Sequence, residues 1–143
     1  MYDKIDHVAI AVRSLEAAMK IFGEALGLGP IAVEEVPEQK VRIALVPIGE
    51  SRLELIAASS EESPITAFLE QRGEGLHHIC FQVEDLAAEL VKLKAAGMRL
   101  IDPDPRRGAG GNLIAFIHPA STGGVLVELS QAGRQNAPHT FSE

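Results

Sequence analysis

The chain has 143 residues, 46% of them hydrophobic, with a formal net charge of −7 and a pI near 5.2. That length and composition suit one globular domain, and the acidic balance speaks against sequence-independent nucleic-acid binding. A lone cysteine, Cys80, excludes an internal disulfide framework, and no apolar run approaches the roughly 18 residues of a membrane span. The first strand-like run starts near Lys4, which leaves no room for a signal or transit peptide, so the expected location is the cytoplasm.

In chain order, residues 5–12 alternate, with Val8, Ile10 and Val12 on one face and His7, Ala9 and Ala11 on the other. Ser14 is placed to cap a helix in which Leu15, Met19, Phe22 and Leu26 recur at helical spacing, and Gly27, Gly29 and Pro30 stop it. Strands follow at about 31–36, 41–46 and 52–57, the last two joined by a turn around Gly49. Ser63-Pro64 opens a linking helix over about 63–73, closed by Gly73 and Gly75.

The plan then repeats. Ile79, Phe81 and Val83 form one face of a strand, with His78, Cys80 and Gln82 opposite. Asp85 caps the next helix, Leu86, Leu90 and Leu93 line it, and Gly97 ends it. Strands are expected near 98–102, 112–118 and 125–130. The domain is thus read as module 1 over about 4–58, the linker helix, module 2 over about 75–131 and a polar, frayed tail at 132–143.

The repeat carries matched chemistry. His7 and His78 occupy equivalent places (78 − 7 = 71), and so do Glu54 and Glu128 (128 − 54 = 74), the step from 71 to 74 falling in the turn HPASTGG. Each half therefore offers one imidazole near its start and one carboxylate near its end, a donor set that suits a divalent metal ion. Both histidines share their strand faces with small or polar residues, which suggests a cup rather than a packed core. Each glutamate stands among leucines and valines, so its carboxylate needs a counter-charge if buried, and a metal supplies one.

The paired strand–helix–three-strand modules, each with its histidine and glutamate, resemble the vicinal oxygen chelate (glyoxalase/bleomycin resistance/dioxygenase) superfamily. The runs GEGLHHICFQVEDL, RRGAGGNLIAFIHP and STGGVLVELSQ are similar to its methylmalonyl-CoA epimerase family, as are EEVPEQ and SPITAFLEQRGEG. The resemblance implies an α+β fold of two tandem βαβββ modules forming a mixed eight-stranded β cup with helices outside. It implies metal ligation by His7, Glu54, His78 and Glu128, with cobalt(II) favoured and manganese, nickel, iron or zinc as alternatives. It also implies a homodimer that interconverts the (R) and (S) forms of methylmalonyl-CoA through a metal-stabilised enolate. The chain departs from relatives at three positions. It has no carboxylate at Ile43, an alanine at Ala120 where lysine is common, and Lys40 in place of a glycine.

Such chemistry needs a base on each side of a planar intermediate. Glu128 is the first candidate, and Glu54, His118 or a bound water the second. His77 is read as a rim residue, His139 as an exposed tail residue and Cys80 as a small filler. Glu34, Glu35 and Glu38 are read as a solvated edge. Arg106 and Arg107, beside Gly108, Gly110 and Gly111, either clamp coenzyme A phosphates or form a solvated loop. Two other activities fit the same residues less well. A lactoylglutathione lyase would share the metal set, and a non-catalytic binding member of the superfamily would not need it.

Overall fold

The computed structural model describes residues 2–108 and 111–132; Gly110, His139 and the tail beyond Ala132 lie outside that range. The chain divides into two compact units, His7–His78 and Met1–Asp6 with Ile79–Glu143. The first half runs β1 (Tyr2–Ala11), α1 (Leu15–Met19), β2 (Ala32–Val36), β3 (Val41–Ile48) and β4 (Ser51–Ala58). After α2 (Pro64–Arg72) come β5 (Gly75–Val83), α3 (Leu86–Ala95), β6 (Arg106–Arg107), β7 (Leu113–Ile117) and β8 (Val127–Gln131). This is the expected βαβββ order, twice. Strand order is β2-β3-β4-β1 in the unit from His7 to His78 and β5-β8-β7-β6 in the other. Both are mixed: β1 runs parallel to β4 and β5 parallel to β8, while the remaining pairs are antiparallel.

The helix starts are matched as the sequence suggests. Ser14 Oγ accepts the Ala17 N–H at 3.1 Å, and Asp85 Oδ1 accepts the Ala88 N–H at 3.1 Å, each satisfying a donor that the helix itself cannot pair. α3 lays Leu86 and Leu90 on Val83, Ala115, Ile117 and Leu129, the apolar face of its sheet. Ahead of it in the same unit, Tyr2 sits edge-on to Phe81 with ring centroids 5.8 Å apart. Its phenol is pushed up to about 12, first by burial and then by its hydrogen bond to the Glu89 carboxylate and the charge there.

Three expectations are corrected. The first helix does not stay α-helical to Leu26: it widens into a π-helical segment at Lys20–Ala25, closed by Leu26 N–H donating to Ile21 O at 2.9 Å. The wider turn shifts the apolar stripe, so Met19 and Phe22 still pack inward while Leu26 is 60% exposed; Leu28 and Ile31 pack there instead. The strand expected at 98–102 is reduced to one bridge, Leu100 with Ile117, and the edge strand is Arg106–Arg107. Pro103 and Pro105 have no N–H to give a ladder, and Asp102 Oδ2 takes the Phe116 N–H at 2.8 Å in place of a backbone carbonyl. Finally, the His7 face of β1 is not sparsely packed along its length. Ala9 and Ala11 are fully buried with Ile43, Ile56 and, from α2, Ile65 and Leu69. Small side chains here admit a helix rather than leaving a void.

Candidate metal centre

Parallel pairing of β1 with β4 sets His7 opposite Arg52 and Ala9 opposite Glu54. Alternation then puts His7, Arg52 and Glu54 on one face, the face α2 covers at its Ala11 end. His7 is 5%, Glu54 7% and His78 8% exposed. Buried titratable groups at this density must satisfy one another or hold an ion.

The two histidines meet through their Nε2 atoms, 3.1 Å apart, with ring planes at 81°. The opposite nitrogens are engaged elsewhere. His7 Nδ1 lies 3.5 Å from Glu54 Oε2, and His78 Nδ1 lies 2.9 Å from His77 Nδ1. His77 in turn stands edge-on to Phe68, whose ring also carries the Arg72 guanidinium. Neighbouring ligands on a metal with bonds of about 2.1 Å are separated by about 3.0 Å in octahedral geometry, so the Nε2 spacing fits a pair of cis ligands. A partner on each Nδ1 fixes ring orientation, the usual support for metal-bound imidazole.

Glu54 differs from the expectation in one respect. Its buried charge already has a counter-ion: Arg52 Nε and Nη2 both donate to Oε2, at 2.9 and 2.8 Å. A metal is therefore not required to explain why a carboxylate is buried there. The same Oε2 is the oxygen that lies 3.5 Å from His7 Nδ1, on the side of the ring away from the facing Nε2 atoms. Arg52 was not singled out from the sequence, although its position two residues before Glu54 on a strand already placed both on one face.

In the other unit, Glu128 is 7% exposed in the middle of β8, opposite Cys80 on β5 and Phe116 on β7. The position equivalent to Arg52 is Leu126. Cys80 is a free, fully buried thiol. His118 caps a 3-10 turn, its Nδ1 accepting the Ala120 N–H at 2.9 Å, which assigns the proton of the neutral ring to Nε2. Arg106 donates through Nε to Asp102 Oδ1 at 3.0 Å and lies over the Phe116 ring at 5.7 Å; Arg107 donates to the Gly111 carbonyl at 3.1 Å. Glu34, Glu35 and Glu38 are exposed, as expected. Of the four expected ligands, His7 and His78 meet directly through Nε2, whereas Glu54 reaches His7 only from behind, at Nδ1, with Arg52 on the same carboxylate oxygen and His77 behind His78.

Residues 6–116 match the family model described as the glyoxalase/bleomycin resistance protein/dioxygenase superfamily. An uncharacterised Bacillus subtilis protein, YqjC, is 44% identical over 138 residues, covering 96% of this chain and 99% of its own. The ethylmalonyl-CoA/methylmalonyl-CoA epimerase of Cereibacter sphaeroides is 39% identical over 133 residues, with 92% and 99% covered. A solved methylmalonyl-CoA epimerase in complex with methylmalonyl-CoA and NH4+ superposes with a TM-score of 0.87 at 33% identity, covering 96% of this chain and 100% of the other. The epimerase resemblance read from the sequence is borne out.

Proposed function

We propose that this chain, which belongs to the glyoxalase/bleomycin resistance protein/dioxygenase superfamily, is a metal-dependent epimerase of methylmalonyl-CoA. The observation that carries the reading is the facing Nε2 pair of His7 and His78, spaced as cis ligands and held from behind. Relatives that cover most of the chain and are named as epimerases of this substrate supply its chemical class. Glu54 and Glu128 complete the ligand set by the logic of the internal repeat. Two neutral imidazoles and two carboxylates accept several divalent ions, cobalt(II) among them.

The substrate's reacting carbon lies between a carboxylate and a thioester. Inversion breaks its C–H bond, gives the proton to a base, leaves the electron pair delocalised towards the thioester, and returns a proton on the opposite face. The ion, when bound, supplies a Lewis acid that stabilises the negative charge developing on oxygen. Glu128 is the group assigned to take the proton on one face. It stands on a strand whose other central residues, Val127 and Leu129, are apolar, so solvent competes poorly for its carboxylate. The second group is drawn from Glu54 and His118. Because His118 Nδ1 accepts from the Ala120 N–H, its Nε2 is the atom that would carry the transferred proton.

The test is incubation of the metal-loaded protein with a single epimer of methylmalonyl-CoA in deuterated water. Inversion with incorporation of deuterium at the reacting carbon is expected. Retention of both configuration and hydrogen, in protein that carries its full complement of metal, would sink the proposal.

A further inference from the structure

We propose that His77 is a positioning residue of the metal centre: its Nδ1 accepts the Nδ1–H of His78, and the linker helix α2 holds it there. The inference rests on the metal reading above and deepens it by adding a residue outside the ligand quartet. His78 Nε2 is the atom that faces His7 Nε2, at 3.1 Å. A ring nitrogen that gives its lone pair to an ion carries no proton, so the proton of a neutral His78 sits on Nδ1. That nitrogen lies 2.9 Å from His77 Nδ1, an ordinary hydrogen-bond distance. Two N–H groups cannot face one another so closely. His77 Nδ1 is therefore the acceptor, and the proton of its own ring sits on Nε2. The residue read from the sequence as part of the rim thus selects the tautomer of its neighbour, and with it the nitrogen that His78 offers to the ion.

Adjacent residues on a strand point to opposite faces. The approach of these two rings needs a restraint from outside β5, and α2 supplies it. Phe68 stands edge-on to His77, with centroids 4.8 Å apart and ring planes at 71°. Phe68 is itself anchored twice. It packs on the core cluster that includes Ala9, Ile56 and Ile65, and its ring carries the Arg72 guanidinium at 5.8 Å. His77 is half-buried and His78 buried, so water competes poorly for the bond between them. The helix that links the two modules therefore reaches His78 through Phe68 and His77. His7 has a different backing, the Glu54 carboxylate oxygen 3.5 Å from its Nδ1. One imidazole of the pair is supported by a charged acceptor and the other by a neutral ring.

The experiment uses the full chain, cobalt(II) and zinc(II) as probes, and the variants His77→Phe, His77→Asn and Phe68→Leu. His77→Phe keeps a ring against Phe68 and removes the acceptor, whereas His77→Asn loses the ring and keeps an acceptor oxygen close to the place of Nδ1. Affinity is measured by calorimetry. In zinc-loaded protein with labelled imidazole nitrogens, NMR reads the coupling between the two Nδ1 nuclei across the hydrogen bond and the exchange of the His78 Nδ1 proton with water. The parent should show that coupling and slow exchange. His77→Phe should exchange the proton faster and lose about 10- to 100-fold in metal affinity, the usual scale for a lost supporting contact. His77→Asn should recover most of the affinity, and Phe68→Leu should weaken the coupling with a smaller loss. A zinc-loaded parent without the coupling overturns the proposal, whatever the variants do. So does a His77→Phe protein with parental affinity and exchange, or a His77→Asn protein that binds no more tightly than His77→Phe. A parent that takes up neither ion overturns the metal reading itself, and this inference with it.

Discussion

The two halves of the chain place a glutamate at equivalent strand positions and then treat it differently. Glu54 is buried beside a guanidinium that occupies one of its oxygens twice over, on a strand face shared with His7. Glu128 is as deeply buried, but its strand neighbours are Cys80 and Phe116, and two residues before it stands Leu126. Duplication explains why both carboxylates exist. The divergence lies two residues before each carboxylate: Arg52, which grips Glu54, against Leu126 ahead of Glu128.

The largest effect should come from His78→Ala, which removes one of the two facing Nε2 atoms. Tight metal binding and inversion should be lost together, and full stoichiometric metal in that variant would count against the pairing. Next is the matched pair of glutamate variants, each keeping an oxygen and losing the ionisable group. Glu128→Gln should cost about 10²- to 10⁴-fold in the inversion rate with metal still bound, the range for removing a general base. Glu54→Gln should cost about tenfold, acting through metal affinity. Equal losses in the two would show that the two carboxylates play the same part.

Smaller effects test the fold's symmetry. Ser14→Ala and Asp85→Ala each remove a helix cap and should each cost about 1 kcal/mol in urea unfolding. Asp85→Ala should cost more, because its helix is α-helical for ten residues against five after Ser14. The smallest is a pH effect. Tyr2 is raised to about 12 by burial and by Glu89, so the folded protein holds that proton where the unfolded chain, titrating near 10, releases it. Its contribution is fully present below pH 10 and is lost as pH rises from about 10 to 12. Tyr2→Phe should flatten that segment of the stability profile, and an unchanged profile would show that the phenol is not linked to folding.

Much of this was legible beforehand, for identifiable reasons. His7, His78, Glu54 and Glu128 could be paired because duplication leaves an arithmetic trace, but the common face of His7 and Glu54 depends on the register of β1 against β4. The caps Ser14 and Asp85 were readable because capping is local chemistry. What escaped depended on partners distant in sequence or on a change of helical pitch. Ala9 and Ala11 looked like the lining of a cavity, because nothing local says that α2 will lay Ile65 and Leu69 against them. Leu26 fitted a helical stripe that the π-helical turn displaced. The strand expected at 98–102 failed for a reason that was visible but underweighted: two prolines, Pro103 and Pro105, follow it directly. Arg52 was overlooked because an arginine near a strand start usually means solvent. Its meaning came from the residue two places on.

One consequence concerns encounters between copies of the chain. The outermost strand on the β6 side is two residues long, both are exposed arginines, and prolines precede it at 103 and 105. A neighbouring molecule seeking to extend that sheet finds little unpaired backbone and two arginines, of which Arg106 is paired with Asp102. The outermost strand on the other unit, β2, is longer and exposes Val33, and it is guarded by Glu34 and Glu35 beside it. Two such edges, one cationic and one anionic, repel their own kind. They also attract each other across molecules, so dilute salt should favour solubility of concentrated protein over salt-free buffer.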